Sequence, residues 1–150
     1  MIDYNVLVKL VESVCKDIPH VISNLANISA LIWENLEGLN WAGFYILEDD
    51  ILVLGPFQGK AACVEIEMGK GVCGSAAYQD KTFVVDNVHN FDGHIACDSC
   101  SNSEIVIPIH KDGKVWGVLD IDSPKFSRFT NEDKEGLEKI VKIIENIVLK

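Results

Sequence analysis

No stretch of this sequence approaches the run of about 18 apolar residues that a membrane-spanning helix requires, although 48% of the residues are hydrophobic. The opening Met1-Ile2-Asp3-Tyr4-Asn5 lacks the basic and then apolar pattern of a secretory signal. Positive charge is scarce: 13 Lys and Arg stand against 23 Asp and Glu, a formal net charge of -10. Such a surface repels phosphate backbones and anionic lipid headgroups, so neither nucleic acid nor a membrane is an expected partner, and a cytoplasmic chain is expected. Linkers, internal repeats and low-complexity tracts are also missing, and 150 residues suit one hydrophobic core, so a single domain over 1–150 is expected. Nor is there an even set of cysteines. Cys15, Cys63, Cys73, Cys97 and Cys100 are five, and an odd number without a secretion signal is a poor disulfide framework, which leaves metal binding, redox chemistry or inert burial.

Hydrophobic periodicity organises the rest. Val6, Leu7, Leu10, Val11 and Val14 recur at helical spacing up to Pro19, and Val21, Ile22, Leu25, Ile28, Ile32 and Leu36 do so up to Gly38. Both stripes are expected to face a shared core. From Trp41 the pattern turns to short aromatic and β-branched runs, Trp41 to Leu47 and Ile51 to Phe57, joined by Glu48-Asp49-Asp50 as a hairpin. Cys63 to Glu67 reads as a third strand. Gly69-Lys70-Gly71 precedes a small-residue helix from Val72 to Tyr78, and Phe83 to Val85 is a short strand. Asp86 to Ser103 has no period and is rich in Asn, Asp, Ser and Gly, the composition of a long irregular loop. Glu104 to His110 and Val115 to Ile121 flank Asp112-Gly113, a dipeptide suited to the positive φ angles of a tight hairpin. Thr130 followed by Asp133 opens a last helix with a variant of the capping box. The order predicts an α+β fold of GAF or PAS type: a mostly antiparallel central sheet with the N- and C-terminal helices packed on one side.

Among groups able to carry chemistry, Cys97-Asp98-Ser99-Cys100 with Cys63 and Cys73 offers four thiols, but the nine residues between Cys63 and Cys73 do not make a second zinc knuckle, so no metal is expected. A redox reading needs one exposed thiolate and a second thiol to resolve it. Cys73, at a helix N-terminus beside Lys70, is placed for a dipole-stabilised thiolate, although a small cysteine buried on an apolar helix face accounts for it equally. Cys97 lies in the polar loop beside His94, where burial explains less. Glu104, Asp120 and Asp122 interrupt strands otherwise fit for a core. Alternation puts Asp120 and Asp122 on one face; with Glu104 on a neighbouring strand, the three can hold an ammonium group and keep a proton, the alternative being a solvated sheet face. Trp41 and Tyr45 share a face four residues apart, as core or as the wall of an apolar pocket.

Taken together, Asn40-Trp41-Ala42-Gly43-Phe44-Tyr45, Gly55-Pro56-Phe57-Gln58-Gly59, Gly69-Lys70-Gly71-Val72-Cys73-Gly74, His94-Ile95-Ala96-Cys97-Asp98, Asn102-Ser103-Glu104-Ile105-Val106 and Gly117-Val118-Leu119-Asp120-Ile121-Asp122-Ser123 closely resemble the free methionine-R-sulfoxide reductase family. The resemblance implies a GAF domain that reduces the free amino acid rather than protein-bound methionine sulfoxide. It implies Cys97 as catalytic cysteine, Cys63 as resolving cysteine and Cys73 as a third with an accessory redox role. It further implies Glu104, Asp120 and Asp122 on the substrate's polar groups and Trp41 and Tyr45 on its methyl side. No bound cofactor is implied: thioredoxin, fed by NADPH through thioredoxin reductase, is the expected donor, and a homodimer is expected only by analogy with other GAF proteins. Cys100 and Cys15 depart from the three-cysteine pattern, and Cys100 can compete as a resolving thiol. Two rivals remain: a GAF sensor module that binds a small molecule without chemistry, and a thiol-disulfide oxidoreductase using Cys97 and Cys100.

Overall fold

The structure, a computed structural model, describes residues 2–93 and 100–150. Among these, the chain runs through α1 (Tyr4–Cys15), α2 (Val21–Asn35), β1 (Trp41–Glu48), β2 (Ile51–Gly59), β3 (Glu65–Glu67), α3 (Gly71–Gln79), β4 (Phe83–Val85), a 3-10 turn (Val88–Asn90), β5 (Ser103–Lys111), β6 (Lys114–Ser123), α4 (Asn131–Ile143) and a closing π-turn (Ile144–Val148). Six strands form one sheet in the order β3-β2-β1-β6-β5-β4, every pair antiparallel. No described helix is long and apolar enough to cross a membrane.

Alternation along the strands sends side chains to two faces. Ala42, Phe44, Ile105, Ile107, Leu119 and Ile121 point to the larger core, where they meet Leu7 and Val11 of α1, Leu25, Ile28 and Ile32 of α2, and Leu137, Ile140 and Val141 of α4. Trp41, Tyr45, Val106 and Val118 point the other way, to a smaller cluster with Val72, Cys73 and Ala76 of α3. The N- and C-terminal helices thus share one side, as expected. The α1 and α2 stripes are narrower than the sequence suggests: Val6 is 53% and Ile22 62% exposed. A helix packed on one side of a sheet buries only the residues of its inner face, here Tyr4, Leu7, Val11 and Cys15 in α1. The capping box at Thr130 and Asp133 forms in both directions, and Asp133 also accepts the Tyr4 hydroxyl at 2.6 Å, which ties α1 to the start of α4.

Both hairpins turn through two residues with positive φ, Asp49 and Asp50 in one, Asp112 and Gly113 in the other, the geometry that matches strand twist. Each then carries a bulge. In β5–β6 the pairing runs Lys111 with Lys114 and His110 with Val115, then skips Trp116 so that Ile109 meets Gly117. In β1–β2, Gly55 and Pro56 together oppose Phe44, and a proline without an N–H is at home where the ladder is interrupted. A one-residue shift of register moves every later side chain to the opposite face relative to its partner, and the bulges therefore decide which residues meet. The third strand is shorter than predicted: it starts at Glu65, and Cys63 lies in the segment ahead of it.

Candidate active site

The β5–β6 bulge brings Trp41, Asp122 and Glu104 into one cross-strand row, since Asp122 pairs with both Trp41 and Glu104. Asp120 stands on the same face, between Gly43 of β1 and Val106 of β5. All three carboxylates line one pocket together with Trp41, Tyr45, Cys73, Ala62, Ile66, Lys70 and Ser101. Glu104 is 7% and Asp120 5% exposed, and Asp122 is half-buried, so the alternative of a solvated sheet face does not hold.

Beside the carboxylates the pocket wall is aromatic. Trp41 stacks between Phe57, at 5.1 Å between ring centroids, and Tyr45, at 5.8 Å. Their polar tips have a second task. Trp41 Nε1 donates to the Lys60 carbonyl at 3.1 Å and the Tyr45 hydroxyl to the Cys63 carbonyl at 2.8 Å. The two rings therefore wall the pocket and also moor the segment that carries Cys63 along its rim. Burial, reinforced by the charges of Asp120, Cys73, Asp122 and Glu104, raises the Tyr45 pKa and keeps the phenol a donor. Phe57 is the aromatic that sequence reading left unassigned; its place against Trp41 depends on the β1–β2 bulge.

Gly43 makes that stack feasible. A Cβ there would overlap the Phe57 Cβ and lie 2.8 Å from the Phe57 Cα and 2.9 Å from the Pro56 carbonyl oxygen, backbone atoms that cannot swing aside. Gly43→Ala is expected to destabilise the fold by about 1–3 kcal/mol, as overpacking does, with a fall in the thermal midpoint by calorimetry. A midpoint equal to wild type would mean that this strand crossing is looser than described.

Electrostatics sets the protonation pattern. Burial, and then the charges of Asp120 and Asp122, hold the Glu104 carboxyl well above its ordinary pKa, so Glu104 is poised to carry a proton. The same forces decide between the two readings of Cys73, against a dipole-stabilised thiolate and for a buried thiol. Cys73 does sit in the first turn of α3, but burial and the carboxylates of Asp120, Glu104 and Asp122 raise its pKa well above the usual thiol value. A helix N-terminus contributes partial positive charge; full desolvation among carboxylates outweighs it. The Cys73 thiol donates weakly to Glu104 Oε2 at 3.9 Å. Cys73 Sγ and carboxylate oxygens of Glu104 and Asp120 lie within 4.8 Å of one another, the donor set in the described residues that a cation would find; an organic ammonium suits the same anionic wall.

Cys63 is disulfide-bonded, whereas Cys15, Cys73 and Cys100 are thiols. Cys15, the last residue of α1, is buried in the larger core, away from the pocket, where desolvation raises its pKa, the inert role. Cys100 is exposed. Cys97, the expected catalytic cysteine, lies with His94 outside the described residues. The arrangement suits a small molecule with both a cationic group and an apolar group, held near the disulfide-bonded Cys63.

Comparison with known proteins gives concordant results. The GAF domain model matches residues 11–148. The chain is 56% identical over 127 residues to the free methionine-R-sulfoxide reductase of Escherichia coli (strain K12), an alignment covering 85% of this chain and 77% of that protein. It is similar to the structure of fRMsr of Staphylococcus aureus in complex with substrate, with 54% identity, a TM-score of 0.94 and coverage of 99% and 97% of the two chains. It is also similar to free methionine-R-sulfoxide reductase from Neisseria meningitidis in complex with its substrate, with 42% identity, a TM-score of 0.93 and coverage of 97% and 87% of the two chains.

Proposed function

The chain belongs to the free methionine-R-sulfoxide reductase family of GAF-fold proteins, and from that premise we propose that it reduces free L-methionine (R)-S-oxide to methionine with Cys97 as nucleophile. The observation that carries the reading is the Trp41–Asp122–Glu104 row, which closes a buried pocket beside the disulfide-bonded Cys63. Asp120 and Asp122 receive the substrate's ammonium, and the Trp41 and Tyr45 rings receive its methyl and thioether carbon. Holding methyl and oxygen on different walls selects one configuration at sulfur.

In the first step the Cys97 thiolate attacks the sulfoxide sulfur while the oxygen gains protons, because oxide is not a feasible leaving group. Glu104, whose pKa is raised by burial and by its two carboxylate neighbours, is the donor assigned to that oxygen, with Asp120 and Asp122 orienting the amino acid. In the adduct the methionine S–O bond and the new S–S bond break as the hydroxyl passes to the Cys97 sulfur, so methionine leaves reduced and Cys97 carries the oxygen as a sulfenic acid. The Cys63 thiol then displaces water from it to form a disulfide. The pairing of Cys63 with Cys97 is the one the family resemblance implies, and the exposed Cys100 thiol is the rival resolving group. A thioredoxin-type dithiol, reduced in turn by NADPH through thioredoxin reductase, restores both thiols by exchange. No bound cofactor enters the cycle, and Cys73 remains an accessory thiol. We read the chain as one such domain and as a cytoplasmic enzyme, with homodimerisation as a further expectation.

The test is NADPH consumption with thioredoxin and its reductase, with the R and S epimers of free methionine sulfoxide supplied separately. Turnover of the R epimer alone is expected. If neither epimer is consumed, even with a small dithiol as reductant, the chain is a binding module of the same fold and the reductase assignment fails.

A further inference from the structure

α3 spans the distance between the pocket and a polar cluster outside it. Its first turn, Gly71 to Cys73, lines the pocket, and it ends at Asp80, whose backbone stands in the left-handed region at φ 52°. There the Asp80 carboxylate lies 2.6 Å from His110 Nε2, near the end of β5. The other ring nitrogen, Nδ1, lies 2.7 Å from Glu145 Oε2 in the π-turn, and the His110 backbone N–H donates to that same oxygen at 2.7 Å. A neutral imidazole has one N–H and donates once; only the imidazolium satisfies both carboxylates. Three elements distant in sequence are thus tied through one ring.

We propose that the Asp80–His110–Glu145 bridge is a positioning strut that pins the far end of α3 to the sheet and the C-terminal helix, holds the pocket wall at its near end in place, and releases as the imidazole loses its proton. The part concerning the pocket rests on its reading as the substrate site.

An exposed ion pair contributes little, but this one is anchored. Glu145 is only 12% exposed and accepts both a backbone and a ring N–H, while Asp80 is 51% exposed. Among the described residues, the remaining charged groups around the ring are Lys81 beside Asp80, Lys134, Glu138 and Lys142 on α4, and Lys111 next in the strand. Lys142 Nζ lies 3.4 Å from Glu145 Oε1, and Glu138 is engaged by the Thr82 hydroxyl at 2.8 Å, which leaves Asp80 and Glu145 as the carboxylates in direct contact with the ring. Burial alone would lower the His110 pKa; the hydrogen bonds and charges of Asp80 and Glu145 outweigh it and raise the value above 6.5. A histidine raised in the folded state contributes its full stability below the unfolded pKa and loses it as pH rises through the folded one. The strut therefore holds in mildly acidic solution and loosens toward alkaline pH.

Hydrogen exchange on the full chain, corrected for intrinsic rates, reads this at residues 71–79 at about pH 6 and about pH 9. Wild type is expected to lose protection there at least about tenfold at the higher pH. His110→Gln should show the loosened level at both, and His110→Arg, with its fixed charge, should restore pH-independent protection. Asp80→Asn serves as a second route, because asparagine tolerates the left-handed backbone while removing the charge. With the R epimer, His110→Gln should raise KM several-fold and leave kcat within about twofold. Protection of 71–79 indifferent to both pH and His110→Gln overturns the strut, and loosening without a change in KM overturns its role at the pocket. If neither epimer turns over, the substrate reading falls and the exchange data still decide the strut.

Discussion

Cys97→Ser is expected to abolish turnover of free methionine-R-sulfoxide, by at least about 10³-fold, as removal of a covalent nucleophile does. A serine hydroxyl stays protonated at neutral pH and has no sulfenic acid state, so neither attack on the sulfoxide sulfur nor the oxygen transfer that follows has a route. Substrate binding should survive, because the proposed ammonium site at Asp120 and Asp122 and the Trp41 and Tyr45 rings are untouched. Calorimetric titration with the R epimer distinguishes this from loss of the pocket. Cys63→Ser provides the contrast: about one methionine per chain in a single burst, followed by a stall in thioredoxin recycling, unless the exposed Cys100 thiol takes over as resolving partner. Full activity of Cys97→Ser would transfer the nucleophile's role to another sulfur and remove the central assignment of the mechanism.

Glu104→Gln should separate catalysis from stability in opposite directions. Loss of a general acid costs about 10²–10⁴-fold in rate, and the expected signature is kcat reduced by that order. In wild type, activity should fall as pH rises through the raised Glu104 pKa, since the donor must hold its proton; glutamine, which cannot donate one, should remove that limb. For stability, a carboxyl with a folded pKa above its unfolded value favours the fold most below the unfolded carboxyl range and less as pH rises through the folded pKa. Glutamine carries no charge to desolvate, so the variant should melt higher than wild type, increasingly so toward alkaline pH. The two readouts are kcat against pH and the thermal midpoint against pH. A variant that is both inactive and less stable would show that Glu104 is a structural partner rather than a buried proton carrier.

Much of this molecule is legible from local pattern. The helical stripes, the two tight hairpins, the capping box at Thr130 and the shared face of Asp120 and Asp122 follow from periods of 3.6 and 2 and from turn chemistry, which act over a few residues. The family resemblance added Cys97 and Cys63, whose roles no spacing rule assigns.

Three features required the folded chain. The meeting of Glu104 with Asp122 depends on the bulge that skips Trp116: a regular hairpin from the Lys111–Lys114 pair would set Glu104 opposite Ile121 instead. Phe57 reaches Trp41 through the second bulge and the bare Cα of Gly43. The choice between a dipole-stabilised thiolate and a buried thiol at Cys73 falls to its neighbours in space, Glu104 and Asp120, which are far away in sequence. What the sequence by itself determined was the set of elements, their order and which side chains were candidates for chemistry, because these depend on local periodicity and side-chain chemistry. Only the tertiary structure decided which of those groups meet and what charge they carry, because register and desolvation are set by contacts between distant parts of the chain.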